Sequence, residues 1–315
     1  MKKTLLITSI VVAFFCFSCE DEPIDFEVEV TNPTNPTDPT DPTDPTDPTD
    51  PTNPTTNTLS SYTYDVTSNL PILGELITNT DFNITGGVVT SLDIELILGG
   101  VTTPAFGVYT RDGSGRIVRF NATASGTPSE TTTINYTGDN ITEIVYEDLA
   151  DPTENHTYNF AYSGTMVTRT TVGSDERIEY TFNSNSQLIS VESFTGTTST
   201  QLETLTYANG NCVSATTTGT NPGSYTLSYD SFTNPSKAVF NDQFLFNMFN
   251  IDYEDEVANS LAVFHSTNNW TGVQDTGQNV TFDITYDANN NITTRSGTFD
   301  LGDGFLFTLN EAFQY

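Results

Sequence analysis

The stretch Ile178-Glu179-Tyr180-Thr181-Phe182-Asn183-Ser184-Asn185-Ser186-Gln187-Leu188-Ile189-Ser190-Val191 sets bulky residues at alternate positions before a polar turn. Residues i, i+2 and i+4 share one face of a strand, so Ile178, Tyr180 and Phe182 make an apolar face and Glu179 and Thr181 the opposite one. Asn and Ser tolerate the backbone conformations of a tight turn between antiparallel strands, and Leu188 opens the return. This is a β-hairpin with one face buried and one face wet.

The same unit recurs. Tyr158, Phe160 and Tyr162 lead into Ser163-Gly164-Thr165 and Met166; Leu205 and Tyr207 lead into Ala208-Asn209-Gly210-Asn211 and Val213. Phe282, Ile284 and Tyr286 lead into Asp287-Ala288-Asn289-Asn290-Asn291 and Ile292, and Ile134 with Tyr136 and Leu227 with Tyr229 open similar units. The terminal aromatics Tyr136, Tyr162, Phe182, Tyr207 and Tyr229 are 20 to 26 residues apart, the length of a hairpin plus its return connection. After Leu59 no long window has a 3.6-residue period. The expected fold is all-β: an antiparallel up-and-down meander over residues 58–315, curled into a barrel-like or strongly twisted open sheet.

Two stretches depart from the rhythm. Residues 241–265 contain Phe244, Phe246, Met248, Phe249 and Ile251, then the acidic group Asp252, Glu254, Asp255 and Glu256, then Leu261, Val263 and Phe264. One or two helical turns are expected there, serving either as a plug or cap for an open end of the sheet or as a loop with its own small cluster. At the C-terminus Phe305, Phe307, Leu309, Phe313 and Tyr315 alternate, with Glu311 the exception on that face, as in a long closing strand.

Ahead of the β-domain lie three different segments. Lys2 and Lys3 precede an apolar run of 13 residues, Leu5 to Phe17, which reads with Ser18 as a cleavable secretory signal over residues 1–18. The run is shorter than the roughly 20 residues a membrane-spanning helix needs. Cys19 follows, then Glu20, Asp21 and Glu22, in an anchor region of residues 19–30. Residues 31–57 repeat Pro-Thr-Asp and Pro-Thr-Asn and contain no apolar side chain that could join a core. In polyproline II the period of three stacks Asp38, Asp41, Asp44, Asp47 and Asp50 along one edge about 9 Å apart. Such a spacer could extend over roughly 80 Å.

The net charge is −32, from 41 acids and nine bases, and loss of the signal with its two lysines takes it to −34. That surface repels the phosphates of nucleic acids and anionic lipid headgroups, which excludes both as partners. Of three cysteines, only Cys212 belongs to the β-domain, so no internal disulfide is expected, and its neighbours suggest a buried, inert thiol.

Catalytic and metal signals are sparse. The two histidines, His156 and His265, lie in no zinc-ligand spacing, and no Gly-x-Ser-x-Gly elbow is present. Asp112-Gly113-Ser114-Gly115 and Asp300-Leu301-Gly302-Asp303-Gly304 offer oxygens but lack a calcium loop's distal bidentate Glu, so turn chemistry accounts for them. No metal, cofactor or catalytic residue is assigned. Asp252, Glu254, Asp255 and Glu256 would be the carboxylates of a glycosidase-like pair if the chain were a hydrolase; a solvated loop is the reading preferred over it. Trp270 is the candidate ligand contact, because an aromatic face and a sugar's apolar face bury one another well; against it stands the core reading, since aromatics at alternate positions are what a β-core requires. The wet strand faces of Thr, Asn, Ser and charge exclude a lipid-facing belt.

The leader ending in Ser18-Cys19 resembles a bacterial lipoprotein signal, which implies acylation of Cys19; an ordinary secreted chain is the alternative. The units YTRDGSGRI (109–117), YTFNSNSQL (180–188), LTYANGNCV (205–213) and ITYDANNNI (284–292) resemble the YD-type repeats of Rhs-like proteins. With the leader, the spacer, Asn234-Pro235 and Asn268-Asn269-Trp270, they more closely resemble an uncharacterised group of Bacteroidetes surface lipoproteins with a porin-like β-fold. That resemblance implies attachment to the outer membrane through acylated Cys19, with Glu20, Asp21 and Glu22 directing display on its outer face. The expected function is a surface-displayed binding, adhesive or scaffold module whose partner is a glycan or an outer-membrane protein. The alternative is a glycan-active hydrolase with a loop-built site.

Overall fold

The computed structural model describes residues 58–70, 74–275, 277–300 and 305–315. The signal, Cys19 with its acidic run, and the spacer therefore lie outside the described residues.

Among those residues the chain forms nineteen strands: β1 (Ser61–Leu70), β2 (Gly74–Thr85), β3 (Val88–Leu98), β4 (Val101–Arg111), β5 (Ile117–Ala124), β6 (Thr127–Thr137) and β7 (Asn140–Asp148). There follow β8 (His156–Ser163), β9 (Met166–Thr171), β10 (Glu176–Phe182), β11 (Leu188–Thr195), β12 (Thr198–Ala208), β13 (Asn211–Gly219) and β14 (Gly223–Thr233). After an insertion come β15 (Asn268–Gln274), β16 (Asn279–Thr281), β17 (Asp283–Tyr286), β18 (Ile292–Asp300) and β19 (Leu306–Gln314).

Sequence neighbours pair antiparallel throughout, and β1 pairs with both β2 and β19, in register Tyr62↔Phe82 and Tyr62↔Phe313. β16 and β17 are successive halves of one strand bent at Phe282, the first paired with β15 and the second with β18. Counting them as one leaves eighteen strands, an even number, as an antiparallel ring requires. The bend has a local cause. A Cβ on Gly272 would stand 2.5 Å from the Val280 carbonyl oxygen, and one on Gly297 would enter the Phe282 ring. The meander is thus a barrel, with its ladder interrupted at Phe282.

Ser61 pairs with Gln314, so the described chain starts and finishes at one end of the barrel, the proximal end. Strand direction alternates from there. The Asn- and Gly-rich hairpin turns, including those with positive φ at Asn209 (53°) and Asn290 (63°), are proximal. The connections at 99–100, 125–126, 149–155, 172–175, 196–197, 220–222 and 275–278 are distal.

The recurrent tyrosine has a specific task. Tyr136 donates to the Ile117 carbonyl at 2.8 Å, Tyr162 to Ile141 at 2.9 Å, Tyr229 to Cys212 at 2.6 Å and Tyr315 to Ile292 at 3.0 Å. Each closes the proximal end of a strand onto the start of the strand before it. A buried hydroxyl needs such a partner.

A barrel of sixteen to eighteen strands is too wide for its own side chains to fill. The insertion fills it. It leaves β14 at the proximal end and forms α1 (Pro235–Val239), α2 (Phe244–Phe249), α3 (Ala258–Ser260) and a π turn (Leu261–His265) before rejoining β15. Asn234 caps α1 by accepting from the Ser236 amide at 3.0 Å, and its own amide donates to the Val263 and Ser266 carbonyls, clamping the two ends of the insertion together. Phe240 packs on Tyr62 and Phe82, Phe264 on Tyr62 and Tyr64, and Phe249 on Phe160 and Tyr180. These contacts reach strands on opposite sides of the ring, so the insertion is a plug. Of the two expected forms, plug and loop with a separate cluster, the structure has the first.

The outer face is hydrogen-bonded among polar side chains, for example Thr63 to Asp81 at 2.7 Å, Asn83 to Asp93 at 2.8 Å and Thr298 to Thr308 at 3.0 Å. Seven large apolar residues are exposed among the described residues, too few to compose a lipid-facing band.

Among the described residues one ion pair lies wholly inside. Arg295 is 1 % exposed and binds Glu311 through two nitrogens, one at 2.6 Å; Tyr62 donates to Glu311 at 2.5 Å and Arg295 donates to the Trp270 carbonyl at 3.2 Å. It joins β1, β18 and β19, where first and last strands meet. Glu311, the exception in the alternation of the closing strand, is the buried acid of this pair.

Candidate functional site

From Phe249 the plug runs on to the distal end. Arg169 on β9, 2 % exposed, lies 4.0 Å over the Tyr158 ring and donates to the Phe249 and Ile251 carbonyls at 2.8 and 2.6 Å. The guanidinium's fork catches two carbonyls at once, which suits Arg where Lys would offer a point charge. Past this clamp the chain turns through Asp252, Tyr253, Glu254, Asp255 and Glu256, with Glu254 in the left-handed region at φ 67°.

The wall holds this acidic turn mainly with neutral donors. Tyr253 Oη meets Thr195 at 2.8 Å and Thr200 at 2.9 Å, Thr220 donates to Glu254 Oε1 at 3.0 Å, and Tyr225 donates to Glu256. Gln201 donates to the Glu254 carbonyl. Glu203, on the lumen face of β12, accepts from the Val257 and Ala258 amides at 2.8 and 3.2 Å and so caps α3 from the wall. All four acids singled out in the sequence thus sit on one turn at the distal mouth. Glu203, which the sequence reading missed, joins them from the wall.

Burial pushes Glu203 up to about 7, against the pull of its two amides. Burial, then repulsion from Asp252 and Glu256, pushes Asp255 up to about 6. Burial also raises Asp252, while Arg169 and His156 draw it back. Beside the turn, His156 stacks on Tyr146 at 4.8 Å and meets Tyr158 at 4.6 Å. Tyr146 donates to Glu130 at 3.0 Å, and burial pushes Glu130 up to about 7. The mouth therefore combines proton-holding carboxylates with half-buried aromatic rings. Among the described residues no three His, Cys, Asp or Glu side chains are grouped to hold a metal ion.

The remaining sequence candidates fall elsewhere. Trp270 is 3 % exposed, packs on Phe282 at 4.6 Å and donates to the Gly272 carbonyl at 2.9 Å, so it presents no open face. Cys212 is buried, with its thiol pushed up to about 12 chiefly by burial. Asp112 accepts from the Ser114 and Arg116 amides and from the Arg116 guanidinium at 2.8 to 3.1 Å, which holds its carboxyl below the usual range and occupies it with turn chemistry. His265 lies in the plug's final turn, where burial and then Lys237 depress it to about 3. Cys19, Glu20, Asp21 and Glu22 lie outside the described residues.

No protein-family model matches this sequence, and no curated protein matches it. Among solved structures it is similar to a porin-like protein from Bacteroides uniformis ATCC 8492. The two are 14% identical, with a TM-score of 0.44, over 83% of this chain and 99% of that one.

Proposed function

We propose that this chain is a lipid-anchored binding or adhesive module of the outer-membrane surface whose ligand-facing region is the distal mouth. The observation that carries the reading is the polarity of the barrel. The described chain begins and ends at the proximal end, so a tether through Cys19 and the spacer pulls there and turns the opposite mouth outward. The outer face suits water, and the mouth supplies Tyr146 and His156 as rings beside carboxylates, a combination that suits sugars. The expected partner is a glycan or an outer-membrane protein.

The test has two parts. Acyl labelling of cells should mark the wild-type chain and not Cys19→Ala, and protease added to intact cells should remove the β-domain. A polysaccharide screen of the full chain should then yield a ligand whose binding falls at least tenfold in Tyr146→Ala. Unlabelled or protease-inaccessible protein contradicts the display, and a ligand indifferent to Tyr146 contradicts the mouth as its site.

The elevated proton affinity of Asp255, beside Asp252 and Glu256, favours a second reading as a glycan-active hydrolase. Joint replacement of Asp252, Glu254, Asp255 and Glu256 by their amides should abolish any hydrolysis found; undiminished hydrolysis removes this reading.

A further inference from the structure

The plug is fastened differently along its length. Its proximal part is wedged by Phe240, Phe249 and Phe264 among wall aromatics, and these three and Phe246 are all buried. Its distal turn has little apolar burial and carries four carboxylates within five residues, against a wall that adds a fifth, Glu203. The turn's backbone is in a region that L side chains adopt reluctantly, at Glu254. The turn is also continuous with the capped start of α3, since Val257 and Ala258 donate to Glu203. We propose that the distal turn is a pH-operated latch, seated against β11, β12 and β14 at mildly acidic pH and released from them as the pH rises past neutral.

The charged and titratable groups facing the turn come from every neighbouring element. β8 supplies His156, β9 Arg169, β12 Glu203 and β14 Tyr225, with Asp275 acting on Tyr225 from the turn after β15. Tyr180, Tyr207 and Cys212, toward the proximal ends of β10, β12 and β13, titrate far above neutrality. Arg169 is the one permanent cation in this set, and it is engaged with carbonyls of the plug. Seating therefore crowds the part-buried Glu254, Asp255 and Glu256 against the fully buried Glu203 with too little positive charge to balance them.

Glu203 and Asp255 bind protons more tightly when seated than in water, at about 7 and 6. Their contribution to seating is complete below their ordinary values and disappears as pH climbs through 6 and 7. His156 opposes this on the acid side, because burial favours its neutral form, and so reduces the gain there.

Hydrogen–deuterium exchange of the full chain tests the latch, with rates corrected for intrinsic pH dependence. Protection at the Val257 and Ala258 amides should fall at least tenfold between pH 5.5 and pH 8, while the Asn250 amide, bonded to Phe246 at 2.8 Å, keeps its protection. Asp255→Asn leaves the Glu203 cap in place and should shrink the fall; Asp255→Asn with Glu203→Gln should abolish it. Equal protection at both pH values, an equal loss at Asn250, or an undiminished fall in Asp255→Asn would overturn the proposal.

Discussion

The two ends of the barrel are built from different chemistry. The proximal end is a ring of aromatics, Tyr62, Phe82, Tyr136, Tyr162, Phe182, Tyr229 and Phe313, whose hydroxyls are spent on strand carbonyls or on the buried Glu311. The distal lumen is lined instead by buried polar residues such as Thr78, Glu130, Thr132, Ser193, Gln201, Glu203 and Thr217, among which Glu130 and Glu203 are acids hydrogen-bonded only by neutral groups. The difference teaches a division of labour: apolar burial and satisfied hydrogen bonds hold the structure at one end, while unbalanced charge is kept at the other. Stability and function are therefore expected to respond to different residues.

The largest effect belongs to the closing seam. Arg295→Met leaves Glu311 buried without its cation and should cost about 3 to 5 kcal/mol in urea unfolding. A cost below about 1 kcal/mol would show that the seam does not depend on the pair. Phe264→Ala removes a plug aromatic packed on Tyr62, Tyr64 and Phe240 and should also cost about 3 to 5 kcal/mol, at the lower end where neighbours collapse into the space.

pH probes the distal side of the comparison. Burial raises Glu130 and Glu203 to about 7 and Asp255 to about 6, so folding protects their protonated forms. In the window between their ordinary values and those pH values the native state binds more protons, and stability falls as pH rises. His265, depressed to about 3, works oppositely below pH 6.5 and reduces the gain. At about 1.4 kcal/mol per pKa unit, the chain should be roughly 3 kcal/mol more stable at pH 5.5 than at pH 8. Calorimetry showing greater stability at pH 8 would reverse the assignment of these acids. The smallest effect is at a single lock: Tyr162→Phe leaves the Ile141 carbonyl unpaired and should cost about 1 kcal/mol.

The hairpins were legible because period two and turn chemistry are local. Ile178, Tyr180 and Phe182 face the lumen, and Asn183 starts the proximal turn, as their spacing implied. The alternation of Phe307, Leu309 and Phe313 likewise marked the closing strand. Closure itself was not legible, since β1 meets β19 across almost the whole domain. The acidic turn stood out as a cluster in the chain, whereas Glu203 and Arg169 did not. A lone charge in an alternating strand becomes informative only when the plug that meets it is placed. Trp270 illustrates the converse, a residue conspicuous by type that the bend at Phe282 takes into the core.

The plug threads the barrel from the proximal end to the distal mouth, and a short thiol cross-linker tests this path most directly. Glu254→Cys with Thr220→Cys, whose native side chains meet at 3.0 Å, should cross-link efficiently in the folded chain, whereas Glu254→Cys with Asp139→Cys on a proximal turn should not. The opposite pattern would mean that the insertion caps the proximal end and leaves the lumen unthreaded.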